Sequence, residues 1–115
     1  MSPSDYLECS FFIPLVRDAE LADGEPHPRR VWKWLDNELY VRFRGGTTAP
    51  GEYRGFYQDP DTGKQTSDRS RRFIVAIPED RLDELRKLLL ACCVFFAQKC
   101  IYLSVAGKVE FIAPD

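Results

Sequence analysis

Two apolar stripes at helical spacing organise this chain, and short β-forming runs fill the stretches around them. Trp32, Leu35, Leu39 and Phe43 recur at intervals of three and four, with Lys33, Asp36, Asn37 and Arg42 off the stripe. That spacing predicts an amphipathic helix over residues 28–44. Pro28 enters it where a missing N–H costs nothing, and Gly45 is expected in the left-handed position that stops it. Leu82, Leu85, Leu89, Cys92 and Phe96 predict a second helix, with Asp80 as its N-cap and Asp83 three residues on, as in a capping box. The far end of this helix, residues 88–97, has no polar side. A helix that is apolar all round must be covered all round. Either the helix lies deeper than usual or a second copy of the chain covers it, and Leu90, Cys93, Val94, Phe95 and Phe96 are the residues expected at such an interface.

Residues 6–16 form a nearly continuous apolar run and read as a strand, with Pro14 implying an edge, a bulge or an early end. Residues 47–58 are strand-like but interrupted by Gly51 and Gly55. Asp59-Pro60-Asp61-Thr62-Gly63 is a turn signal: proline presets φ, aspartate bonds locally and glycine accepts positive φ. The polar residues 64–72 then lead into Phe73-Ile74-Val75-Ala76-Ile77, a buried strand by its continuous β-forming run. Residues 100–105 and 109–112 read as two last strands around a turn at 106–108. The order is β-α-β-β-α-β with a short C-terminal β extension. It predicts an α+β, ferredoxin-like sandwich in which two helices cover one face of an antiparallel sheet, residues 1–115 making one such domain.

Within this region the chain resembles an uncharacterised bacterial family of small ferredoxin-like (split β-α-β) proteins. The resemblance covers residues 32–77 and rests on Trp32-x-x-Leu35, Phe43-x-Gly45, Thr47-Thr48, Gly51-x-Tyr53, Gly63 and Asp68-x-Ser70-Arg71. Asp68 stands where that family more usually has Glu. The resemblance implies the fold and no catalytic residue.

Composition narrows the function. The chain is 44% apolar and 30% charged, as soluble globular proteins are, and its net charge of −2 gives no general attraction to nucleic acid or anionic membranes. The start lacks a basic segment followed by an apolar one, and no apolar run approaches the roughly 20 residues of a spanning helix, so the expected location is cytoplasmic with no membrane contact. Cys9, Cys92, Cys93 and Cys100 have no C-x-x-C spacing, and His27 is the one histidine, so no metal site is expected and the thiols read as small hydrophobes. No Gly-rich phosphate loop or other cofactor motif is present, and no cofactor is expected. Residues 71–77 lack the glycine and alternating aromatics of RNA-binding sheets, which disfavours a nucleic-acid partner.

One constellation could hold a ligand. Asp68, Ser70, Arg71 and Arg72 face Tyr53 and Tyr57 across a predicted hairpin. Arginine grips anions and tyrosine floors a pocket for a planar group, so a small anionic or planar ligand is the candidate. Strand alternation puts Ser70 and Arg72 on one face, and Arg69 and Arg71 on the other. The same residues would equally serve as charge pairs on a solvated hairpin. His27 has the pKa range of a general base, but between two prolines it reads as a helix-entry residue. Cys9, near Asp5 and Glu8, should have a raised pKa and not act as a nucleophile. No catalytic set emerges. The reading is a homo-oligomeric module, a homodimer or larger, that binds a ligand or protein without catalysis. The alternative, by analogy of fold, is a small cofactor-free enzyme of the dimeric α+β barrel type, monooxygenase- or isomerase-like, with a pocket between sheet and helices.

Overall fold

The computed structural model describes residues 5–59 and 62–114. Its elements are β1 (Tyr6–Pro14), α1 (Arg29–Phe43), β2 (Thr47–Thr48), β3 (Tyr53–Gln58), β4 (Gln65–Pro78), α2 (Leu82–Phe95), β5 (Ile101–Val105) and β6 (Lys108–Ile112). The architecture is mixed α+β. One six-stranded antiparallel sheet runs β2-β4-β1-β5-β6, with β3 pairing β4 beyond β2. No helix is long and apolar enough to cross a membrane. Pro60 and Asp61 of the predicted turn lie outside the described residues.

Alternation along the strands decides the layers. Cys9, Phe11 and Ile13 of β1, Phe73, Val75 and Ile77 of β4, and Ile101, Leu103 and Val105 of β5 turn to the helices and join Leu35, Leu39, Leu85, Leu89 and Cys92 in one core. β1 pairs with β4 over nine residues, from Tyr6↔Pro78 to Pro14↔Ser70. At its middle the Phe11 and Phe73 rings stack at 5.2 Å, 11° from parallel. Pro14 is the last residue of β1, the early end that a missing donor imposes.

Several local expectations change. Arg44, not Gly45, takes the left-handed position after α1 (φ 68), because the helix stops with Phe43, the last buried residue of the stripe. The predicted Asp80 cap and capping box do not form. Glu79–Arg81 make a 3-10 turn without a side-chain cap, and Arg81 instead pairs with Glu84 and lies over the Phe43 ring. The single strand expected at 47–58 divides at Gly51 (φ 84): β2 pairs with Phe73 and Ile74, and β3 with residues 65–70. The polar run and the buried run that follow it are instead one strand, β4, of 14 residues.

The apolar end of α2 is covered partly by its own chain. The helix ends at Phe95, Ala97 takes positive φ (49°), and Phe96 folds under the layer of helices against Trp32 and His27, both at 4.9 Å. Cys93 and Phe96 thus lie in the core, while Leu90, Val94 and Phe95 stay exposed, Phe95 with one side against Trp34.

The connection from β1 to α1 is tied down at both ends. Arg17 makes a two-point ion pair with Asp23, and Val16 bridges Pro26. Gln98, itself buried, donates to the Val16 and Phe96 carbonyls, and the Asp18 N–H donates to the Ala97 carbonyl. Buried His27 donates through Nε2 to the Pro14 carbonyl at 2.7 Å, leaving Nδ1 without a partner among the described residues. Burial pushes the His27 pKa down, against the raising effect of that bond, with Arg17 and Arg71 lowering it further. The neutral ring is therefore a structural pin.

Two outcomes test this packing. Phe96→Ala should destabilise by about 3–5 kcal/mol in urea denaturation, the range of a buried Phe truncation, and Phe95→Ala by far less. Because His27 binds a proton less readily in the fold than in the unfolded chain, stability should fall as pH drops below about 6.5. His27→Gln, which keeps a donor for Pro14 but cannot titrate, should lose less stability than wild type between about pH 7.5 and 5.5.

Candidate functional site

The face of the sheet opposite the helices carries the candidate site. In β4 the alternate residues Asp68, Ser70, Arg72 and Ile74 point there. Their antiparallel partners are Gly55 and Tyr53 of β3 and Pro14, Phe12 and Ser10 of β1. Tyr57 lies two residues beyond Gly55 on the same face. β5 and β6 continue it with Tyr102 and Phe111.

Aromatic rings cross this face as a row. Tyr53 meets Phe12 at 5.6 Å, Phe12 meets Tyr102 at 5.4 Å, and Tyr102 meets Phe111 at 5.8 Å, all edge to face. Phe111 is largely exposed, while Tyr53, Phe12 and Tyr102 are half-buried, so the row offers ring surface without leaving the sheet face unpacked.

Asp68 sits at one end of the row. A side-chain carbon on Gly55 would stand 3.2 Å from Asp68 Oδ1, so the carboxylate lies over the glycine, between Tyr53 and Tyr57. Gly55 is needed here for space and not for φ. Among the described residues Asp68 has no hydrogen bond and no ion pair, and burial raises its pKa above the ordinary carboxylate value. Desolvation first, then the charges of Asp68, Asp18 and Asp59, raise the Tyr57 phenol, which stays a proton donor at neutral pH. Cys100, before β5, is raised by desolvation and then by Asp68. The Lys99–Glu20 ion pair and the Asp18 turn bring the β1–α1 loop alongside.

The six residues predicted for a ligand divide by face. Tyr53, Tyr57, Asp68, Ser70 and Arg72 share the outer face, with Ser70 buried beneath its neighbours. Arg71 points the other way, its guanidinium stacked 4.2 Å over the Trp32 ring. His27 is likewise on the helix side and touches none of them. Phe12, Tyr102 and Phe111 were not foreseen as site residues. Alternation within each strand exposes them, but only cross-strand register aligns them. The buried thiols stand apart: burial pushes Cys9 and Cys93 to about 11 and raises Cys92.

In one chain the site is open. A shallow concavity of about 330 Å³ follows the hairpin at Phe56, Tyr57, Gln58, Gly63 and Gln65. A wider one, about 610 Å³, lies at the opposite end of β4 beside Gly45, Gly46 and Ala76. Neither encloses Asp68.

A carboxyl that holds its proton more readily in the fold than in the unfolded chain makes its ionisation costly to the fold as pH rises. Asp68→Asn should therefore raise the urea midpoint at about pH 7.5, and the gain should shrink towards about pH 4, where the unfolded carboxyl also protonates. A wild-type midpoint equal to or above that of the variant at neutral pH would refute the buried-charge account.

No family model matches the chain, and no curated protein matches it. Two solved structures do. Phage SAM lyase in complex with S-methyl-5'-thioadenosine is similar with a TM-score of 0.67 and 15% identity, over 96% of this chain and 91% of that one. Phage SAM lyase in its apo state is similar with a TM-score of 0.63 and 15% identity, over 100% of this chain and 95% of that one. At this identity the likeness is one of fold.

Proposed function

We propose that this chain is a small cofactor-free enzyme that cleaves a sulfonium nucleoside of the S-adenosylmethionine type, using the outer face of the sheet. The observation that carries the reading is the half-buried Asp68, its carboxylate over Gly55 between two tyrosines and without a hydrogen-bond or ion-pair partner among the described residues. Such a group suits a ligand with a fixed positive charge. A sulfonium supplies one at every pH, and aromatic rings attract it further. The row from Tyr53 to Phe111 gives an adenine ring a surface to stack on. Supporting it is the fold likeness to a SAM lyase that holds S-methyl-5'-thioadenosine. The strand order, with β4 between β1 and the β2/β3 pair and β5 on the other side of β1, supports a ferredoxin-like plan. The segments Gly51-x-Tyr53 and Asp68-x-Ser70, two of those on which the resemblance to the uncharacterised family rests, meet in this site, where Tyr53 at the start of β3 pairs with Ser70 of β4.

The reaction balances without a cofactor. A carboxylate oxygen of the substrate's amino-acid chain bonds to the carbon attached to the sulfonium sulfur, the carbon–sulfur bond breaks, and its electron pair leaves on sulfur, so the products are a neutral thioether and a lactone of the amino acid with no proton gained or lost. Positive charge on sulfur disappears in the process, so surroundings that exclude water favour it. Asp68 holds and orients the cation, Tyr57 donates a hydrogen bond, and the rings supply the less polar surroundings.

A second copy of the chain is proposed to close the site. The face is open in one chain, the hairpin carries Phe56 at 65% exposure, and Val94 and Phe95 on α2 are 69% and 56% exposed. A non-catalytic module would use the same face and bind without turnover.

The test is incubation of the purified protein with S-adenosylmethionine and chromatography for S-methyl-5'-thioadenosine. Wild type should release it in proportion to protein and time, and Asp68→Asn should be slower by about 100-fold or more. Gly55→Ala, which displaces the carboxylate, should be impaired too. No release together with no calorimetric binding of either compound would overturn the reading; binding without release would select the non-catalytic module. In light scattering during gel filtration, wild type should elute as a dimer or larger, and Phe95→Ser with Val94→Ser should lower the mass if α2 makes the contact.

A further inference from the structure

Arg72 is the one residue of the outer face whose charge complements that of Asp68 from the same strand. It stands four residues along β4, opposite Phe12, on the face that carries the aromatic row. Arg72 as a residue is half-buried, and among the described residues its guanidinium makes no hydrogen bond, ion pair or ring contact. Several arginines around the sheet are committed, Arg17 to Asp23, Arg69 to Glu52, Arg71 to Trp32 and Arg86 to Asp83 and Glu110, while Arg54 of β3 is exposed to water. A guanidinium without a protein partner on this face keeps its donors for an anionic group on the ligand.

We infer that Arg72 is a specificity residue that grips the carboxylate at the amino-acid end of the substrate while Asp68 faces its sulfonium. This rests on the sulfonium-nucleoside reading above. Four residues of extended strand separate the two Cα atoms by about 13 Å. The long arginine side chain and the short aspartate leave between them the room that a sulfonium and a carboxylate three carbons apart require. Ser70 lies between and below them, buried, so nothing charged intervenes. The strand then reads the substrate as a dipole: cation at the Asp68 end, anion at the Arg72 end. A sulfonium nucleoside lacking the carboxylate meets only half of that pattern.

The experiment is calorimetric binding of S-adenosylmethionine, decarboxylated S-adenosylmethionine and S-methyl-5'-thioadenosine to wild type, Arg72→Gln and Arg72→Lys. Wild type should prefer S-adenosylmethionine to its decarboxylated form by roughly 10- to 100-fold, the worth of a charge-assisted bond. Arg72→Gln should abolish that preference while leaving the affinity for the other two compounds unchanged, and Arg72→Lys should restore part of it. In turnover, Arg72→Gln should raise KM more than it lowers kcat. Wild-type preference retained in Arg72→Gln, or equal weakening of all three compounds, would overturn the assignment of Arg72 and leave the sulfonium site standing. If wild type binds none of the three, both readings fall.

Discussion

The antiparallel register of β1 on β4 governs the molecule. Nine paired residues centre on the stacked rings of Phe11 and Phe73. Side chains alternate between faces with a period of two, so a slip of one residue would send Asp68, Ser70 and Arg72 towards the helices and Phe73, Val75 and Ile77 into solvent. Burial of the apolar set on one face therefore enforces the presentation of the polar set on the other. The candidate site needs no fold-stabilising contacts of its own to be positioned.

The outer face shows what that arrangement costs. Among the described residues Asp68 is partly desolvated with no hydrogen-bond or ion-pair partner, and half-buried Arg72 has none for its side chain either. Other partly buried charges are compensated, as in the Arg86–Glu110 pair that joins α2 to β6 and the Arg17–Asp23 pair within the loop. Uncompensated charges gathered on one face, beside aromatic rings, are the reason this face is the candidate site.

The helix side and the outer face are linked through the end of β1. Pro14 cannot donate to the sheet, but its carbonyl is free to accept from His27. The His27 ring packs against Trp32 and Phe96, and the Trp32 ring carries Arg71. Gln98 holds the other side of the same loop. This places Asp18 and Cys100 near Tyr57 and Asp68, so the electrostatics of the site depend on a loop anchored in the core.

Much of this was legible along the chain. The stripes Trp32-Leu35-Leu39-Phe43 and Leu82-Leu85-Leu89-Cys92-Phe96, and the continuous run 73–77, identify two helices and a buried strand, because helical and strand periods act over adjacent residues. The same alternation put Ser70 and Arg72 together and Arg71 apart. The division at Gly51, the left-handed Arg44 and the folding back of Phe96 were not legible, since each depends on what the segment meets across the sheet or beneath the helices. The seat of Asp68 over Gly55 and the line from Tyr53 to Phe111 are likewise products of cross-strand register. The sequence by itself determined the elements and which residues share a face, because those are local periodicities. Only the tertiary structure decided which faces meet and which charges lack partners, because pairing and burial join residues distant in the chain.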